Sequence, residues 1–144
     1  MAEILPGLWI GDRENASNIK WLKQNKITVI INCTKSLPFP DNPELALVHI
    51  LRVAVHDNLD PSEIEKMKKY LEPVTAKIAE WLPNHNILVH CYAGRQRSSS
   101  IILAYLIRYG ELTLDDAINL LRTKKVDTCL PKFNFYDSFA HFGI

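Results

Sequence analysis

Apolar positions along the chain change period several times, and each change marks an element. Ile27-Thr28-Val29-Ile30-Ile31 is a β-branched run of strand length. Ile87-Leu88-Val89 is short, unbroken and apolar, which predicts a buried strand. Leu47 to Val55 alternates in part and predicts another. Glu3-Ile4 and Leu8-Trp9-Ile10 flank the turn signal Pro6-Gly7 and predict a hairpin. Between Lys35 and Ala46 the prolines Pro38, Pro40 and Pro43 predict a loop.

Elsewhere the period is helical. Ile64, Met67, Leu71, Val74, Ile78 and Trp81 recur three and four apart, so they share one helix face. Asp60 as N-cap, Pro61 at the first helical position and Glu63 three after the cap set its start. Pro73 lacks an N–H and predicts a kink or a split. Asp12 predicts a cap for a helix whose inner face is Ala16, Ile19 and Leu22. Residues 98–109 are apolar on most sides, which predicts a central helix ended by Gly110. Thr113 with Asp116 caps a further helix, stapled by Leu112 and Ala117. Pro131, Phe135, Phe139 and Phe142 predict a last helix docked by aromatics. Strands alternating with helices imply an α/β fold with a sheet covered on both faces.

The chain has 144 residues, enough for one domain with a core of its own. Its formal net charge of +1 implies no polyanion-binding surface, so any attraction for phosphate must be local. No apolar run has membrane-spanning length, the N-terminus lacks a signal pattern, and Ala2 excludes N-myristoylation, so no membrane anchor is expected. Cys33, Cys91 and Cys129 are odd in number and widely spaced, which does not suggest a disulfide framework. His49, His56, His85 and His141 show no metal-ligand spacing.

The chemistry concentrates in His90-Cys91-Tyr92-Ala93-Gly94-Arg95-Gln96-Arg97-Ser98, between the strand at Ile87–Val89 and the apolar helix. Such a loop lies where open α/β sheets place their ligands. Backbone amides of Tyr92, Ala93, Gly94, Arg95 and Gln96 can curl around a tetrahedral oxyanion, and the following helix adds its positive end. Arg97 can grip two phosphate oxygens at once, which a lysine cannot. The same field favours a Cys91 thiolate, the nucleophilic form of cysteine. A departing oxygen needs a proton, so a general acid is expected. Asp60 already has a task as helix cap, whereas Asp57 follows a strand end and is free to reach the loop. Asp57 is assigned as the acid, and as the base for water in a second step, with Asp60 as runner-up. Ser98 is read as a hydrogen-bond donor to the sulfur, and His90 as a support for the cysteine backbone.

His90-Cys91-x-Ala93-Gly94-x-x-Arg97-Ser98, followed by Ile101, Ile102 and Ala104-Tyr105-Leu106, resembles the signature of small, "atypical" dual-specificity protein phosphatases, a branch of the cysteine-based protein tyrosine phosphatases. Ile4 to Gly11, Ala16-Ser17-Asn18 and Ile27 to Asn32 resemble that family's opening pattern. The resemblance implies a central mixed sheet of about five strands flanked by helices, with residues 1–144 a single catalytic domain. It implies hydrolysis of phosphotyrosine, phosphoserine and phosphothreonine in proteins through a phosphocysteine intermediate, in a shallow pocket, without metal or other cofactor. The expected partner is a phosphorylated protein, the expected state a monomer, and the expected location cytoplasmic, extending to the nucleus; nucleic acid is not expected. Gln96 departs from the family's small residue before the arginine, and Arg95 adds a second cation. Arg95 motivates an alternative, a phosphoinositide or RNA 5′-phosphate phosphatase, and Gln96 leaves room for a weakly catalytic phospho-binding module. Cys33, at a strand end, is read as core packing, with a protective Cys33–Cys91 disulfide as the alternative.

Overall fold

The structure, a computed structural model, describes residues 1–45 and 47–142. Ala46, at the end of the expected proline loop, and Gly143 and Ile144, at the end of the expected domain, lie outside them.

Five strands form one mixed sheet: β1 (Ala2–Leu5), β2 (Leu8–Gly11), β3 (Ile27–Asn32), β4 (His49–Arg52) and β5 (Asn86–His90). Their order is β1-β2-β5-β3-β4, with β1 antiparallel to β2 and every other pairing parallel. The expected hairpin is β1–β2, turned at Gly7, whose φ of 83° favours glycine. Because side chains alternate along a strand, each central strand feeds two cores. Val29, Ile31, Ile87, Val89, Leu8 and Ile10 enter the larger core. Ile30 and Leu88 enter the smaller one, with Trp9 packed against it. Helices α1 (Arg13–Ser17) and α2 (Ile19–Gln24) supply Ala16 and Leu22 to the smaller core. Helices α3 (Pro61–Trp81), α4 (Arg97–Gly110) and α5 (Leu114–Lys124) build the larger.

Several elements differ from the sequence reading for local reasons. Asp12 caps its helix as expected, within a capping box closed by Asn15, but the helix stops at Asn18, whose side chain accepts from Trp21 N–H and starts a second helix. The strand expected over Leu47–Val55 shrinks to β4. Beyond it Val53 N–H still donates to Asn32 O (2.9 Å), then Val55 N–H bonds Val53 O (2.9 Å), a tight turn that takes the chain off the sheet. Pro73 does not split α3. Pro73 and Lys69 are both exposed, so the carbonyl deprived of a partner lies on the solvated face. Helix α4 includes Gly110, and the left-handed residue is Glu111 (φ 58°). The aromatic C-terminal segment is not a helix but an irregular strap ending in a 3-10 turn, Tyr136–Phe139. Phe133 and Phe135 are both buried, a spacing of two that no helix face allows.

Candidate active site

Strand β5 is central and buried, and it ends by delivering His90 and Cys91 to the sheet's carboxyl edge. The chain then turns through Gly94 at φ 72°. A Cβ there would stand 2.8 Å from Gly11 O, so glycine is required by both conformation and contact. The turn folds Gly94 N–H back to within 3.2 Å of Cys91 Sγ. Ser98, in the first turn of α4, brings its Oγ to 3.2 Å from the same sulfur. His90 Nδ1 lies 3.4 Å from Cys91 O, beneath the loop. Burial, with Arg52 and Arg97 nearby, pulls the pKa of His90 down to about 4, so its ring is neutral near pH 7. Tyr92 and Ala93 form the exposed rim. Arg13 braces that rim: its N–H and its guanidinium both donate to Tyr92 O, and its cation sits 3.8 Å from the Tyr92 ring centroid.

Arg97 links the loop to the segment after β4, its Nη1 donating to Val55 O at 3.0 Å. Its Nε is buried and has no partner among the described residues. A buried donor left unmatched is costly, and a site built to receive an oxyanion supplies the match. Asp57 follows two residues after Val55. The intervening His56 donates its N–H to Glu63 Oε2 at 3.0 Å, which pins the segment to the first turn of α3. Glu63 is itself buried and paired with Lys35 (2.8 Å) and Lys66 (3.2 Å). The Lys35 bond, against burial and aided by the His56 N–H, holds the Glu63 pKa at about 2. Asp60 accepts from Ser62 N–H (2.9 Å) and Ser62 Oγ (2.7 Å), bonds that lower its pKa and commit it to the cap.

A cavity of about 400 Å³ opens over the loop, with Asp57, Cys91, Gln96, Arg97 and Asn134 among its walls. Tyr92, Ala93 and Arg95 also line it, so the fold gathers the sequence-predicted residues at one place; Asp60 is not among its walls. Gly94, His90 and Ser98 support it from below. Two side chains point elsewhere than the sequence suggests. Arg95 pairs with Asp127 at 3.4 Å. Gln96 is buried and turned into the strap, donating from Nε2 to Leu130 O (3.1 Å) and Lys132 O (2.8 Å) while Oε1 accepts from Asn134 N–H (2.9 Å). Asn134 in turn donates from Nδ2 to Asp57 Oδ1 at 2.8 Å. Sequence reasoning missed Asn134, Arg13 and Glu63. Glu63 carried a signal as the third residue of a capping box, but its side chain reaches His56 rather than the cap. Nothing in spacing links Asn134 to a residue 77 positions away.

Cys33, Cys91 and Cys129 are buried free thiols. Cys33 packs in the larger core, its N–H donating to His90 O at 2.7 Å, and burial pushes its thiol well above the ordinary range. Burial likewise raises Cys129 to about 12.

Residues 8–143 match the family described as dual specificity phosphatase, catalytic domain. The chain belongs to that family. It is 33% identical over 133 residues to human dual specificity protein phosphatase 16, covering 92% of this chain and 19% of the relative. It is 35% identical over 124 residues to dual specificity protein phosphatase 26 of Bos taurus, covering 83% of this chain and 57% of the relative. The chain thus spans a minor part, 19%, 35% and 21%, of three of the curated relatives that it matches. Among solved structures, DUSP15 superposes with a TM-score of 0.83 at 30% identity, covering 99% of this chain and 86% of that one. A mouse putative dual specificity phosphatase complexed with zinc tungstate superposes with a TM-score of 0.84 at 27% identity, covering 99% of this chain and 85% of that one.

Proposed function

We propose that this chain hydrolyses phosphate monoesters on tyrosine and on serine or threonine of proteins, with Cys91 as nucleophile. The observation that carries the reading is the placement of Cys91 Sγ, 3.2 Å from both Gly94 N–H and Ser98 Oγ, in a cavity shared with Arg97, whose buried Nε awaits an acceptor. The mouse relative's tungstate, a tetrahedral oxyanion, and the family membership support it.

In the first step the phosphoryl oxygens take the Arg97 guanidinium and the loop amides. Cys91 sulfur attacks phosphorus in line as the ester P–O bond breaks, and Asp57 gives its proton to the leaving oxygen. In the second step Asp57 takes a proton from water, whose oxygen attacks phosphorus and releases phosphate and the thiolate. Ser98 Oγ donates to the sulfur as it regains charge. No residue in this scheme needs a metal. A single domain, a monomeric state and a cytoplasmic or nuclear setting complete the proposal. Arg95, the motive for a phosphoinositide or RNA substrate, is turned toward Asp127 at the cavity rim, and this orientation weighs toward the protein substrate.

Cys91→Ser is the direct test. Release of phosphate from phosphotyrosine and phosphothreonine peptides should drop to background, while binding of phosphopeptide, read by titration, persists. Turnover that survives the substitution removes Cys91 from the chemistry. A wild-type chain that binds phosphopeptide without turning it over is instead a phospho-binding module.

A further inference from the structure

The strap at residues 129–135 does more than close one side of the cavity. Its backbone is fixed to the catalytic loop by Cys129 N–H donating to Arg95 O (2.8 Å) and by the Gln96 side chain. Gln96 satisfies both Nε2 hydrogens and Oε1 at once, so the orientation of its amide follows from its partners: two carbonyls require NH₂ and one N–H requires oxygen. That clamp holds the backbone of Asn134, whose Nδ2 then stands 2.8 Å from Asp57 Oδ1. Asp57 is an exposed residue on a short connection, and this is the side-chain contact that fixes its carboxyl at the cavity wall.

We propose that Asn134 is a positioning residue for proton transfer by Asp57. An amide N–H donated to Oδ1 favours the carbonyl form at that oxygen, the better acceptor of the two, and so favours the transferable proton on Oδ2. The carboxyl is thereby held with its O–H, rather than its carbonyl oxygen, available to the leaving oxygen. The proton leaves Oδ2 as the ester P–O bond breaks, and the carboxylate that remains keeps a charge-assisted bond to Asn134. This inference rests on the reading of Asp57 as the acid.

The readout is the dependence of kcat/KM on leaving-group pKa across a series of aryl phosphates. A good leaving group needs little help from an acid, and a poor one needs it fully. Asp57→Ala should steepen that dependence, and Asn134→Ala should steepen it in the same sense, by about tenfold at the poorest leaving group and less than about twofold at the best. Inhibition by vanadate, a phosphate-shaped anion, should stay within about twofold in Asn134→Ala, showing the loop intact. Asn134→Ser, which keeps a donor, is the second variant and should recover part of the loss. In the Asp57→Ala background, Asn134→Ala should cost nothing further. A uniform loss across the series, or a full additional loss on top of Asp57→Ala, overturns the proposal and makes Asn134 a structural residue. A flat series in Asp57→Ala overturns the acid assignment itself.

Discussion

At the scale of single residues, the site turns on tasks already taken. Asp57 and Asp60 are three positions apart, and both are carboxylates near a strand end. The Ser62 bonds engage Asp60, and Asn134 engages one oxygen of Asp57 while the other stays available. The two residues should therefore fail differently. Asp60→Ala removes a cap and should cost about 0.5–2 kcal/mol in urea unfolding, with kcat/KM within about threefold of the parent. A large loss of activity from Asp60→Ala, with stability unchanged, would move the acid role to that residue. The gathering of Cys91, Gly94, Arg97 and Ser98 in one loop was legible in the sequence because it is local: they lie close along the chain and obey one spacing. Gln96 was legible only as a departure, since the meaning of its long amide lies in carbonyls more than thirty positions away.

At the scale of elements, the N-terminus of α3 acts as a fixture for the segment that carries Asp57. Glu63 is buried there, bonded to the His56 N–H and paired with Lys35 and Lys66. Its folded pKa is depressed to about 2, below the ordinary value near ~4.3. The sign follows from which state binds more protons. Above the ordinary value Glu63 is ionised in both states and its contribution is fully present. As pH falls through that value the unfolded chain takes up the proton first, and the contribution is lost by about pH 2. Glu63→Gln should therefore flatten the acid side of a stability-against-pH curve between about 4.3 and 2, as measured by urea midpoints. An unchanged acid limb would show that another group governs it. Element boundaries were less legible than element existence. Pro73 was expected to kink or split α3; the helix is not split, because Pro73 and Lys69 lie on the solvated face and leave the freed carbonyl to water. The strand expected to run to Val55 ends at Arg52, because the chain must leave the sheet to bring Val55 O to Arg97. Such exits answer to a partner elsewhere in the fold and leave no trace in periodicity.

At the scale of the whole molecule, the C-terminal strap is the part least visible in the sequence and the part that closes the site. Its aromatics were read at helical spacing from Phe135, Phe139 and Phe142, while Phe133, two before Phe135, forces an extended course. Phe135 is 1% exposed and enters the main core, and Ser138 Oγ donates to Ile64 O at 2.7 Å, so the strap is bound to α3 as well as to the cysteine loop. Phe135→Ala should cost about 3–5 kcal/mol of global stability. Because the strap carries Asn134, that variant should lose turnover of poor leaving groups before it loses the fold, when both are followed along one denaturant titration; coincident losses would uncouple strap and acid. The Gln96 clamp also constrains how this chain can change over evolutionary time. A shorter side chain at 96 would release two carbonyls and one N–H in a single step, whereas the strap meets Gln96 through backbone atoms alone and keeps those atoms when its side chains change. The dependence therefore runs one way: a change at 96 is also a change to the seating of the strap, while side chains at 130 and 132 can change with the clamp intact.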